Sequence, residues 1–235
     1  MSLKNRIGKF LFKFRSFTPL PLIIVLFLFL LPKNFGEKNI LFAIFGFLLI
    51  VIGEGIRIVS IGFSYPGTSG RESYMRADNL NISGIYSIVR NPLYIGNILI
   101  YSGLLVTYSN FIALVIFDLI LIIQYFFIVN FEESYLLEKF GDKYSDYKKN
   151  TKAIFPCFKN FKKPVYKFNI LRVLYSENDS IFNSMFLFFI ILIYKEKLLS
   201  GELSALGPLY FVTVIILIVL YIWIKIIKKR KKKID

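Results

Sequence analysis

Histidine is absent from these 235 residues, and cysteine occurs once, at Cys157. The first absence removes imidazole, the usual general base near neutral pH and a common metal ligand; the second removes any disulfide framework. Chemistry in this chain proceeds without imidazole, and no metal is expected. Acidic residues are also scarce, 15 against 30 lysines and arginines. Apolar residues dominate instead: 56% of the chain is hydrophobic and the mean hydropathy is +0.60, too apolar for a soluble domain. An integral membrane protein is expected. The basic excess lies between apolar runs rather than on a soluble basic face, which points away from nucleic acid and toward membrane orientation.

Apolar segments lie at about Phe17–Leu31, Ile40–Phe63, Leu93–Tyr108, Phe111–Phe131, Ile181–Tyr194 and Leu206–Ile227. Lipid demands internally satisfied backbones, so each is read as a helix, and the expected fold is all-α, a polytopic bundle of about six spans. The first and fifth are short for a hydrocarbon core of about 30 Å and need tilt or flanking residues. Residues 1–15 are basic and precede an apolar run. No small-residue cleavage site follows, and Pro32 and Lys33 close that run, so it reads as a retained first span. Three regions follow: 1–63 with two spans, 64–160 with a polar motif and a helical hairpin, and 161–235 with a linker, two spans and a basic tail.

With six spans, both termini share one face. Lys and Arg number 25 on that face and 4 on the other, Lys33, Lys38, Lys195 and Lys197. The positive-inside rule makes the rich face cytoplasmic, termini included. The two longest segments between spans, Ser64–Asn91 and Glu132–Ser180, then lie in the cytosol. Within them, Tyr65–Gly70 reads as a turn, and Glu138–Lys149 as an amphipathic helix at the membrane surface with Phe140, Tyr144 and Tyr147 on one side. Lys228–Lys233 reads as an anchor to anionic lipid.

Polar residues concentrate at the cytoplasmic ends of the third and fourth spans. From Arg90, Tyr94, Asn97 and Tyr101 follow at offsets of 4, 7 and 11, and on the next span Asp118, Tyr125 and Glu132 recur every seven residues. Each set forms one helical stripe, and a two-residue turn makes the helices antiparallel neighbours whose stripes face each other. Tyrosine and asparagine there serve equally as interhelical glue or as a site, and Arg90, Glu132 and Glu133 as a solvated rim or as a site. Glu54 and Arg57, three apart, are read as an ion pair. Asp118 has no evident partner in sequence.

The run Gly84, Tyr86, Val89, Arg90, Asn91, Pro92, Tyr94, Gly96, followed by a hairpin and then Glu132, Glu133, Leu136 or Leu137, Phe140, Gly141, Tyr144, Tyr147 and Pro156, resembles the isoprenylcysteine carboxyl methyltransferase and phospholipid methyltransferase family of membrane enzymes. Gly53-Glu54-Gly55-Ile56-Arg57 extends the likeness upstream. The resemblance implies S-adenosylmethionine as methyl donor, with Gly84, Tyr86, Arg90, Asn91, Pro92, Tyr94, Gly96, Glu132 and Glu133 as cofactor-binding residues and Arg90 and Glu133 as catalytic. A cofactor with an ammonium, a sulfonium and a carboxylate suits that mix of charges. Asn91 stands where the eukaryotic pattern has histidine, and an amide cannot take up a proton. After Tyr147 the pattern's basic residue and Val-Pro are replaced by Asn150, Thr151, Lys152.

The expected function is methyl transfer to a lipophilic small molecule or lipid from the membrane. An amine acceptor must lose a proton, so the missing histidine favours a carboxylate and a methyl ester over a phospholipid amine. A non-enzymatic scaffold with a drifted site is the competing reading, and a transporter built around Asp118 and Gln124 ranks last.

Overall fold

The computed structural model describes residues 3–33, 38–65, 68, 74–201 and 206–231. Helices account for most of the described chain: α1 (Leu3–Phe14), α2 (Pro19–Phe29), α3 (Lys38–Gly62), α4 (Pro92–Tyr108), α5 (Phe111–Phe140), α6 (Asp142–Asn150), α7 (Ile170–Ser200) and α8 (Gly207–Lys231), with short 3₁₀ turns at Ile85–Ser87 and Phe158–Asn160. The protein is all-helical, as the apolar runs require. Most of the expected turn at Tyr65–Gly70 and the end of the basic tail lie outside the described residues.

Among the described residues, three helices, Asn39–Gly62, Phe111–Phe140 and Gly207–Lys229, are long and apolar enough to cross a membrane. A fourth crossing arises if α1 and α2, bent by 80° to each other, act as one broken span. The other expected spans lie on helices but differ in kind. α2 has 11 residues and α4 has 17, and α7 carries Glu177, Asn178, Asp179, Ser180, Asn183 and Ser184 along its first half. The predicted amphipathic helix is divided: α5 runs through to Phe140, Gly141 takes φ 52°, and α6 starts anew at Asp142. That left-handed backbone suits glycine, so the chain turns there instead of continuing.

The hairpin α4–α5 turns on Ser109 and Asn110. Asn110 caps α5 by accepting from the amides of Ile112 and Ala113 at 3.1 Å each, and its Nδ2 donates to the Leu31 carbonyl at 2.7 Å. α3 packs against α4 along a seam of small residues. Gly53 meets Gly96 and Gly46 meets Gly103, so the two helices run antiparallel with backbones almost touching: a Cβ built on Gly53 stands 2.6 Å from the Gly96 carbonyl oxygen. This contact sets where Arg57 on α3 meets Asn97 on α4.

Two apolar clusters hold the rest. Phe12 of α1 and Ile23 and Leu26 of α2 pack on Phe117, Leu121 and Ile128 of α5, while Ile50, Ile100, Leu104, Tyr108, Phe188 and Ile191 join α3, α4 and α7. α8 packs on α7 and otherwise exposes Ile215, Val219, Ile222 and Trp223, a face suited to lipid.

Candidate active site

The polar motif begins where Gly84 turns the chain with φ 59°, leading into the 3₁₀ turn and then Pro92 at the first position of α4. Pro92 lacks an amide proton that would otherwise be unpaired there. Backbone groups just before it are tied to the segment after α6. Arg90 N donates to the Lys152 carbonyl at 2.9 Å and Asn91 N to the Ala153 carbonyl at 3.2 Å, with Asn91 Nδ2 on that same oxygen at 3.1 Å. Tyr147 of α6 donates its hydroxyl to the Tyr86 carbonyl at 2.7 Å. The residues from Tyr86 to Asn91 and from Tyr147 to Ala153 therefore form one clasp.

Arg90 spends its guanidinium inside that clasp. Nε and Nη2 both donate to Glu133 Oε1, at 3.0 and 2.7 Å, and Nη1 donates to the carbonyls of Lys148 (3.0 Å) and Thr151. The other oxygen of Glu133 pairs with Lys148 Nζ at 2.7 Å. Arg90 and Glu133 are thus bound to each other and to α6. Glu132, one residue earlier, also lines the cavity, its Oε1 accepting from Tyr94 at 2.7 Å.

That cavity has a volume of about 860 Å³ and lies among α1, α2, α3, α4, α5 and α7, within the range of small-molecule sites. Tyr86, Arg90, Asn91, Pro92, Tyr94, Glu132 and Glu133 all line it; Gly84 and Gly96 do not. Gly96 faces Arg57 and Gly53, which makes it a packing position, and Gly84 sits against Pro164. Burial holds the hydroxyls of Tyr86, Tyr144 and Tyr147 well above the usual tyrosine range, so they stay protonated as donors.

Deeper in, the two predicted stripes do face each other. Asn97 Nδ2 donates to the Tyr125 hydroxyl at 2.9 Å, and the Tyr94 and Tyr125 rings lie 4.5 Å apart. Asp118 finds Ser102, whose hydroxyl lies 3.0 and 3.1 Å from its two oxygens. The expected Glu54–Arg57 pair takes a different form. Arg57 donates to Asn97 Oδ1 and binds Glu177 of α7, Nε at 2.8 Å and Nη2 at 2.6 Å from Oε2. Glu54 instead accepts at 2.9 Å from both Ser180 and Ser184. Sequence reading missed this contribution of α7, although Glu177, Ser180 and Ser184 at offsets of 0, 3 and 7 mark one polar face in an apolar helix. It also missed Lys148, and Arg15 at the α1–α2 elbow, which lines the cavity with its guanidinium 3.7 Å over the Phe12 ring.

A family model described as phospholipid methyltransferase matches residues 41–143, the stretch that contains nearly all of α3, the Tyr86–Asn91 half of the clasp and the hairpin. This stretch is similar to the phospholipid methyltransferase family. Within it lie Arg90, Glu132, Glu133, Tyr86, Tyr94 and Tyr125 of the cavity lining, whereas Tyr144 and Tyr147 follow its end. A curated relative, the protein-S-isoprenylcysteine O-methyltransferase of Schizosaccharomyces pombe, is 34% identical over 73 residues, which is 31% of this chain and 31% of that protein. The chain therefore matches less than a third of that relative's length. No solved structure matches. The phospholipid methyltransferase match ends before α7, so the Glu177 wall of the cavity falls outside it.

Proposed function

We propose that this protein is an integral membrane methyltransferase that moves a methyl group from S-adenosylmethionine to a lipophilic acceptor. The observation that carries this reading is Glu132, held by Tyr94 at the rim of a cavity of about 860 Å³ that also contains the Arg90–Glu133 clasp. The donor set suits the cofactor. Glu132 offers a carboxylate to a cationic group, and Tyr86, Tyr94 and Tyr144 offer rings and hydroxyls to an adenosyl moiety. When bound, S-adenosylmethionine supplies an electrophilic methyl group on a sulfonium. The residues here contribute binding, orientation and exclusion of water. Glu132 is the binding carboxylate, while Arg90 and Glu133 shape the cradle and Asn91 fixes its rim to Ala153.

A carboxylate acceptor, giving a methyl ester, needs no base. That suits a cavity lined without imidazole and bordered by the Arg15 guanidinium. One observation favours the other acceptor, a lipid amine: Glu177 lines the inner end of the cavity, and its carboxylate gives an amine's proton a place to go. In the same reading α2, α4 and α7 complete a six-span bundle with both termini and the clasp on the cytoplasmic side.

Tritiated S-adenosylmethionine distinguishes these acceptors. Purified protein in detergent is supplied with hexadecanoate or hexadecylamine, and the product is treated with mild base. A methyl ester releases volatile methanol, whereas a methylamine keeps its label. Micromolar cofactor binding that Glu132→Ala abolishes supports the methyltransferase. Absence of binding in well-folded protein overturns it in favour of a scaffold.

A further inference from the structure

Residues 152–168 leave the clasp, cross the end of the bundle and enter α7, and their composition differs from the rest of the surface. Phe155 and Phe158 are 75% and 74% exposed, with Val165 at 68% and Phe161 at 53%. Side chains this large are normally withdrawn from water outside a membrane span. Between them stand Lys152, Lys159, Lys162, Lys163 and Lys167, all exposed, and no acidic residue occurs from Thr151 to Ser176. Apolar rings interleaved with uncompensated lysines match a lipid headgroup layer, which offers hydrocarbon below and anionic charge above.

Placement agrees with that chemistry. Beyond the bonds from Arg90 and Asn91, the Cys157 amide donates to Ile88 at 3.0 Å, the Gly84 amide donates to Lys162 at 2.8 Å and the Asn169 amide donates to Gly62 at 3.0 Å. Gly62 ends α3, Asn91 precedes α4 and Asn169 caps α7. The segment is therefore pinned in the plane where three helices of the bundle stop, with Pro164, Tyr166 and Phe168 packed on the protein and Phe155, Phe158, Phe161 and Val165 left exposed.

We propose that residues 152–168 are a membrane-surface strap, inserting Phe155, Phe158, Phe161 and Val165 at the headgroup level of an anionic leaflet while the lysines bind its charge. Because the same segment accepts the backbone amides of Arg90 and Asn91, the leaflet holds the rim of the cavity at interface depth, where a lipophilic acceptor is presented. A folded protein partner is the weaker match. It would need an acidic and apolar surface that follows this strip, whereas a leaflet supplies both features everywhere.

The test places a single reporter on the strap. Trp223, the chain's one tryptophan, is replaced in a Trp223→Phe background, Phe158→Trp is added, and the full chain is reconstituted into vesicles of phosphatidylcholine alone or mixed with phosphatidylglycerol. The expected result is blue-shifted emission quenched by brominated phosphatidylcholine, more strongly when phosphatidylglycerol is present. Each Lys→Gln change among Lys159, Lys162, Lys163 and Lys167 should lower the preference for anionic vesicles about fivefold. Water-like emission in both vesicles overturns the proposal. So does blue-shifted emission that brominated lipid cannot quench, which means protein covers the strap. If Phe158→Trp fails to fold, Phe155→Trp reports on the same strip.

Discussion

Adjacent glutamates do different work here. Glu133 is consumed by Arg90 and Lys148, whereas Glu132 keeps its place on the cavity wall through one tyrosine. Glu132→Gln is expected to weaken S-adenosylmethionine binding by about 10- to 100-fold with little loss of stability, the usual worth of a hydrogen bond to a charged group; isothermal titration in detergent measures it. Glu133→Gln should show the opposite balance. It leaves Arg90 largely buried with a neutral partner, costing about 3 kcal/mol of stability, read as a lower midpoint of thermal unfolding. Arg90→Lys should not rescue the clasp, because a point charge cannot span Glu133 and two carbonyls together. Buried tyrosines set the alkaline limit. The hydroxyls of Tyr86, Tyr144 and Tyr147 titrate higher in the fold than in the unfolded chain. Their contribution is thus complete below about pH 10 and declines as pH rises past the unfolded tyrosine value. Unfolding temperatures from neutral to strongly alkaline pH should stay level and then fall. At this scale the sequence named Arg90, Glu132, Glu133 and Tyr94, because charged and hydroxyl groups at span ends are conspicuous. It could not apportion their roles, since the apportioning depends on Lys148 and Thr151, brought in by a helix that sequence reading joined to the end of α5.

Helix contacts carry their own predictions. The α3–α4 seam depends on glycine at Gly53 and Gly96, where an added Cβ meets backbone that cannot rotate away. Gly96→Val should separate the helices, cost about 1–3 kcal/mol as an overpacked contact, and displace Arg57 from Asn97. Gly55, with open space around its Cβ position, should accept alanine freely. A thermal unfolding comparison of Gly96→Val with Gly55→Ala checks both. Element type was legible throughout, because every long apolar run had to close its own hydrogen bonds. Element ends were less so. Asn110 and Pro92 announce theirs through side-chain chemistry, but the break at Gly141 was hidden inside a periodic pattern that continues from Phe140 to Tyr147.

The molecule as a whole is closed by α7, which brings Glu177 to Arg57 and Ser180 and Ser184 to Glu54. Glu177→Leu should leave the Arg57 guanidinium buried without this carboxylate, lowering stability by about 3–5 kcal/mol and reducing methyl transfer through a raised acceptor KM rather than weaker cofactor binding. Kinetics with varied acceptor at saturating S-adenosylmethionine separate the two effects. Local chemistry by itself determined that this chain is helical, apolar enough to cross a membrane and equipped with a polar motif at its span ends, because lipid forbids unpaired backbone groups and makes every buried charge stand out. The tertiary structure alone decided which charges meet. Arg57 lies three residues from Glu54 yet binds a carboxylate 120 residues away, since the Gly53–Gly96 contact aims it across the cavity to α7, and no periodicity within one helix records what packs against it.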